Sequence, residues 1–182
     1  MKTTYHIEDN FLGDEDFCHL ESLLMGMYFP WFYNDRRVRK GDGQYQFVHQ
    51  FYRDYCPQSE FISCLDPILE QLHPAALIRI KANLNPKSDK IKDSLYHCDM
   101  GGGGWTTGIY YVNTNNGYTL FEDGTKVKCV ANRFVSFPST LKHAGSTCTD
   151  DNTRVVININ YVQGNPSRKD EFKNIFFAQN NL

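Results

Sequence analysis

Apolar residues recur at two different periods along this chain, and the period changes near residue 75. Before that point the spacing is helical. Phe17, Leu20 and Leu24 share one face of a segment that Asp14 can cap and that extends to about Met25. Phe61, Leu65, Ile68, Leu69 and Leu72 repeat the pattern over about 59–72, where Pro67 implies a kink, or a restart with Asp66 as its cap. Between the two, "NDRRVRKGDGQYQFVHQFY" reads as a surface loop followed by a strand. From Ala75 onward the period is two. "ALIRIKANL", "TTGIYYVN", "YTLFE", "TKVKCV", "RFVSF" and "TRVVININYV" all alternate. Asp123-Gly124 is a strong tight-turn signal and Ala131-Asn132 a weaker one. Helices followed by many short strands predict a mainly β, α+β domain, with a sandwich or barrel buttressed by the helices.

Composition narrows the setting. Of 182 residues, 41% are hydrophobic and 14% aromatic, enough for a real core and too many for a disordered chain. The formal net charge of −2 gives no whole-protein field toward nucleic acid or an anionic membrane. No apolar run approaches the ~18 residues of a membrane span. The opening "MKTTYHIEDNFLGDEDF" lacks the apolar core of a signal peptide. These features predict a soluble cytoplasmic protein with no membrane partner. The six cysteines (Cys18, Cys56, Cys64, Cys98, Cys129 and Cys148) include no CxxC pair. They are expected to be reduced thiols, which argues against a thiolate zinc site.

The candidate chemistry starts at "YHCDMGGGGWTTGIYYVN". His97 and Asp99 are two apart, so on an extended segment they point the same way and can reach one metal ion. A third ligand must come from elsewhere, and His143 is the only histidine downstream. Two imidazoles and a carboxylate on one side of an ion form the facial triad of non-haem Fe(II) oxygenases, which leaves positions open. Arg154 follows eleven residues after His143, in "NTRVVININY", with Val156, Asn158 and Asn160 on its face by period two. An arginine pointing inward from such a strand needs a carboxylate partner, from the protein or from a co-substrate.

This order of HxD, distal His and Arg resembles the 2-oxoglutarate/Fe(II)-dependent dioxygenases. The pattern covers roughly residues 75–162. "GIYYVNTNNGYTLFEDG", "NRFVSFPSTLKHAGSTC" and the leading "FLGDEDFCHLESLL" are most similar to the prolyl 4-hydroxylase-like branch. The resemblance implies a double-stranded β-helix (a jelly roll) in a single domain over 1–182. Its helical part would span about 1–74, its jelly-roll core about 75–162 and a C-terminal extension 163–182. It implies Fe(II) on His97, Asp99 and His143, O2 as oxidant, and 2-oxoglutarate with its far carboxylate on Arg154. Tyr111 matches a position whose hydroxyl assists that carboxylate, and Asn83 and Thr119 are further co-substrate candidates. Ascorbate enters as an accessory reductant. The implied reaction hydroxylates a C–H bond of a protein or peptide side chain, with proline favoured, and releases succinate and CO2. The chain departs from the collagen-type enzymes, which have Lys where it has Arg154. Two alternatives stand beside this reading: a non-catalytic metal-binding or sensor module, and an oxygenase of a nucleobase or small molecule.

Other features read as structural. His6-Ile7-Glu8 and His19-Leu20-Glu21 have no distal partner and are expected at the surface. His49 and His73 are expected to be exposed or capping, and Cys98 a small buried filler facing away from the metal. The basic cluster "RRVRKGDG" at 36–43 reads as a solvated loop. Gly101–Gly104 lack the following GK[ST] of a phosphate loop and are either a flexible connection or a rim that contacts substrate.

Overall fold

The computed structural model describes residues 5–164. Its strands are β1 (His6–Glu8), β2 (Phe32–Asn34), β3 (Gln46–Arg53), β4 (Cys56–Pro57), β5 (Pro74–Pro86), β6 (Thr106–Tyr111), β7 (Tyr118–Phe121), β8 (Lys126–Lys128), β9 (Arg133–Pro138), β10 (His143–Gly145) and β11 (Thr153–Gln163). Helix α1 spans Asp14–Leu24, and a 3-10 turn over Glu60–Leu65 leads into α2, Asp66–Leu72. The C-terminal extension expected from 163 lies, from 165 on, outside the described residues.

Two antiparallel sheets form the core. The larger runs β1-β9-β6-β11-β5-β3-β2, with β4 on β3, and the smaller runs β10-β7-β8. Bridges pair His97 with His143 and Asp93 with Ser146, so the segment before the glycines lies along β10. This arrangement is a jelly roll. Its logic is clearest in β11, where burial is nearly continuous. Val155, Ile157 and Ile159 join the cluster containing Leu20, Leu24, Leu65, Ile68 and Leu69, so one face of the large sheet carries the helices. Val156 joins Ile109, Tyr111, Phe121, Val127 and Phe137 between the sheets. Arg154, Asn158 and Asn160 share that second face, and it holds the polar site.

The predicted helices form, with corrections at their ends. Asp14 is not the cap of α1. Gly13 takes that position without a side-chain bond, and Asp14, Glu15 and Asp16 fill the first turn, where carboxylates complement the helix dipole. The second helix restarts at Asp66, which is its first residue and not its cap; Leu65 takes the cap position without a side-chain bond, and Pro67 falls in the first turn of α2. Ser59 caps the preceding 3-10 turn, its Oγ accepting from Phe61 N. At seven residues α2 is too short to persist alone. Ile68, Leu69 and Leu72, all buried, hold it on the sheet.

His49 is buried, not exposed. Its Nδ1 lies 2.8 Å from Pro30 O and its Nε2 2.7 Å from Ser59 Oγ, with Phe29, Phe51 and Phe61 around the ring. It pins the segment before β2 to the start of the second helical region. His73 occupies the left-handed C-cap of α2 at φ 43°. All six cysteines are free. Gly101–Gly104 are exposed, with φ near +90° at Gly102 and Gly104.

Candidate metal centre

His97 and Asp99 lie on the extended segment beside β10, and His143 opens β10 itself. The bridge between His97 and His143 holds the two histidines side by side, with ring centroids 4.6 Å apart. His97 Nδ1 lies 3.2 Å from Leu95 O, and His143 Nδ1 lies 3.0 Å from Leu141 O. A carbonyl only accepts, so each Nδ1 carries a proton and Nε2 is the ring nitrogen left to ligate a metal. Those Nε2 atoms stand 3.9 Å from Asp99 Oδ1 and Oδ2 respectively. One ligand atom from each residue fits within a 4.8 Å group. Two neutral imidazoles and a carboxylate converging in this way suit a first-row divalent ion such as iron.

Asp99 is fixed by three neighbours. Arg79 Nη2 donates to Oδ1 at 2.8 Å; Thr107 Oγ1 (2.9 Å) and Asn160 Nδ2 (3.2 Å) donate to Oδ2. Asn160 Oδ1 in turn accepts from Arg79 Nε at 2.8 Å. Burial would push the carboxyl pKa up. Arg79, His143, His97 and the Asn160 bond outweigh it and hold the pKa at about 2. Burial lowers the pKa of His143, offset in part by Asp99. Asp99 is therefore held ionised and His143 is biased toward its neutral form, the states a metal requires of them.

A cavity of about 310 Å³ opens on this centre. Its walls alternate along two strands. β5 contributes Arg79, Lys81, Asn83 and Asn85, and β11 contributes Arg154, Val156 and Asn158. Register places Asn160 opposite Arg79 at the metal end and Arg154 opposite Asn85 at the far end. Arg154 is 2% exposed. Its Nη2 reaches Thr119 Oγ1 at 3.4 Å, and its buried Nε has no partner among the described residues. Among the described residues no carboxylate pairs with it.

Thr119 lines the cavity and accepts a 2.8 Å bond from Tyr111 Oη. Tyr111 is fully buried behind Thr119, outside the lining, with the Arg154 guanidinium carbon 5.7 Å from its ring centre. Burial pushes its hydroxyl up to about 12, so it is a permanent donor. Asn83 lines the wall, its Oδ1 unpaired among the described residues.

Several residues of the site lay outside the sequence reading. Arg79 and Lys81 share the period-two face of Asn83 in "RIKANLN", a signal present in the sequence. Thr107 and the role of Asn160 depend on cross-strand register. The basic loop is not simply solvated. Arg37 reaches into the cavity wall, its Nη2 donating to Gly145 O at 2.9 Å and its Nη1 to Gln44 Oε1 at 2.8 Å. Asp42 shapes the loop by accepting from the backbone nitrogens of Arg37, Val38 and Arg39. Cys98 is exposed and lines the cavity, its thiol donating to Thr140 O, so it is no buried filler.

No protein-family model and no curated protein matches the chain. Solved structures do. A prolyl hydroxylase from Trichoplax adhaerens, in complex with a hypoxia inducible factor oxygen degradation domain peptide fragment, is 15% identical, with a TM-score of 0.63 over 89% of this chain and 84% of that one. A 2OG-Fe(II) oxygenase family protein from Burkholderia pseudomallei is 11% identical, with a TM-score of 0.62 over 88% and 86%. The non-heme α-ketoglutarate dependent epimerase SnoN from nogalamycin biosynthesis is 13% identical, with a TM-score of 0.62 over 89% and 78%. At such identities likeness speaks for architecture, and the chain has the jelly-roll fold shared by the prolyl hydroxylases and other 2-oxoglutarate/Fe(II) oxygenases.

Proposed function

We propose that the protein is a 2-oxoglutarate- and Fe(II)-dependent dioxygenase that hydroxylates a C–H bond of a protein or peptide side chain, with proline as the favoured residue. Arg154 carries this reading. It is a buried guanidinium that pairs with no carboxylate among the described residues, on the same cavity as a two-histidine, one-carboxylate centre. A buried unpaired cation is costly, and a dicarboxylate with a 2-oxo acid at its other end satisfies both features at once.

His97, Asp99 and His143 would hold the iron. That group would supply dioxygen activation coupled to the oxidative decarboxylation of 2-oxoglutarate. The balanced change takes C–H, 2-oxoglutarate and O2 to C–OH, succinate and CO2. The chain's own residues bind and orient. Arg154 and Thr119 anchor the far carboxylate, and Tyr111 holds the Thr119 hydroxyl in place. The Leu95 and Leu141 carbonyls fix the imidazole tautomers. Arg79, Thr107 and Asn160 hold Asp99 ionised and aimed.

The peptide bound in the Trichoplax structure supports a peptide substrate. A cytoplasmic setting and ascorbate as accessory reductant belong to the same reading. The test is aerobic turnover with Fe(II), ascorbate, 2-oxoglutarate and proline-containing peptides. Succinate formation matched by addition of one oxygen atom to the peptide is expected. Failure to form succinate above the metal-free control would count against an enzyme. Succinate without peptide oxidation would count against a peptide substrate.

A further inference from the structure

The cavity holds more positive charge than iron and 2-oxoglutarate can use. Four cationic side chains line it (Arg37, Arg79, Lys81 and Arg154) against the single carboxylate of Asp99. Iron's two positive charges are matched by the dianionic co-substrate. Arg79 is taken by Asp99, and Arg154 is placed for the far carboxylate. Arg37 is tied to Gly145 O, Ser146 O, Lys92 O and Gln44 Oε1, so it contributes field rather than a free fork.

Lys81 is different. It lies in the cavity wall within the field of Asp99, and among the described residues its ammonium makes no hydrogen bond or ion pair. It sits two residues from Arg79 on the same face of β5, about 7 Å along the strand, and so next to the metal end. Register places it opposite Asn158 on one side and Gln50 on the other. It is therefore one strand removed from the β11 column that ends in Arg154, toward β3 and Arg37. The same wall carries Asn83 and Asn85, buried at 6% and 2% exposure, and Asn158, whose side-chain oxygens have no partner among the described residues. A flexible ammonium among open amides, beside an ion pair already complete, is built to receive an anion.

We infer that the substrate presents an acidic group, a carboxylate or a phosphate, to Lys81 beside the C–H bond that reacts. Lys81 is thus a substrate-anchoring residue distinct from the co-substrate site. This rests on the 2-oxoglutarate reading above and names the substrate class for that same cavity.

The test uses the full chain loaded with Ni(II) and 2-oxoglutarate, which cannot turn over. Inorganic phosphate and acetate are titrated separately, following lysine ε-carbon resonances by NMR and binding heat by calorimetry. Saturable binding of at least one anion is expected, with the Lys81 resonance shifting. Phosphate alone indicates a phosphorylated substrate, and acetate as well indicates a carboxylate. Lys81→Met is expected to weaken anion binding at least about tenfold, Lys81→Arg to retain it, and both to keep 2-oxoglutarate affinity within about twofold of wild type. Three results would overturn the inference: no saturable binding of either anion, binding unchanged in Lys81→Met, or a roughly tenfold loss of 2-oxoglutarate affinity in that variant. Wild-type protein that takes up neither Ni(II) nor 2-oxoglutarate would instead overturn the oxygenase reading itself, and the inference with it.

Discussion

Arg154 keeps its place because residue 117 is glycine. A Cβ there would stand 2.6 Å from Arg154 Cδ and 2.8 Å from Asn115 Oδ1. Gly117→Ala is therefore expected to displace the guanidinium, raising the 2-oxoglutarate KM while leaving metal affinity near wild type. Arg154→Ala removes the proposed partner of the co-substrate's far carboxylate outright. The loss for a buried pair is roughly 3–5 kcal/mol, at least about a hundredfold in co-substrate affinity, and calorimetry on the metal-loaded protein measures it. At the other end of the cavity, His97→Ala, Asp99→Ala and His143→Ala should each abolish iron binding. Asp99→Asn is more discriminating. It keeps the side chain's shape but removes the charge and turns an amide N–H toward the donors Arg79, Thr107 or Asn160, so metal affinity should fall steeply and the thermal midpoint should fall with it.

At the scale of elements, the helical cover and the sheet are joined at His49. Burial lowers its pKa from the ordinary value of 6.5, against the Pro30 bond that raises it. The unfolded chain then takes up the proton first. Its contribution to stability is full above about pH 6.5 and is lost as pH falls through that value toward the folded pKa. Denaturant midpoints of wild type and His49→Phe are expected to differ most near pH 7.5 and to converge toward pH 5.5. A constant difference would mean that His49 has the same pKa folded and unfolded, against the lowering that burial implies. Nearby, Leu69→Ala should cost roughly 2–5 kcal/mol, because packing is what keeps so short a helix folded.

The same elements show what the sequence makes legible. Long strands were readable because alternation repeats often enough to define a face: Arg154, Val156, Asn158 and Asn160 share one side of β11 as period two predicts. Strands β1, β2, β4 and β10 have two or three residues each, too few for any period to register. His49 looked like a lone polar residue because its partners, Pro30 and Ser59, lie far away in the chain.

For the whole molecule, position follows from the pairing of the sheets. β11 sits between β5 and β6, so the face it turns toward the small sheet gathers polar groups from both neighbours. HxD, distal histidine and arginine were visible as an ordered pattern because each keeps its place on a strand or strand end. The grip on Asp99 by Arg79, Thr107 and Asn160 was not, because it joins three strands through register. Nor was the insertion of Arg37, which depends on how the 36–43 loop folds back over the cavity. The central claim is that metal and 2-oxoglutarate share this one site. Its most direct test is the anaerobic affinity of 2-oxoglutarate for the full chain, by calorimetry, with and without Fe(II). The expected result is binding at least about tenfold tighter with iron present, with the gain lost in His143→Ala. An affinity unchanged by iron would contradict the claim and leave the centre a metal-binding site alone.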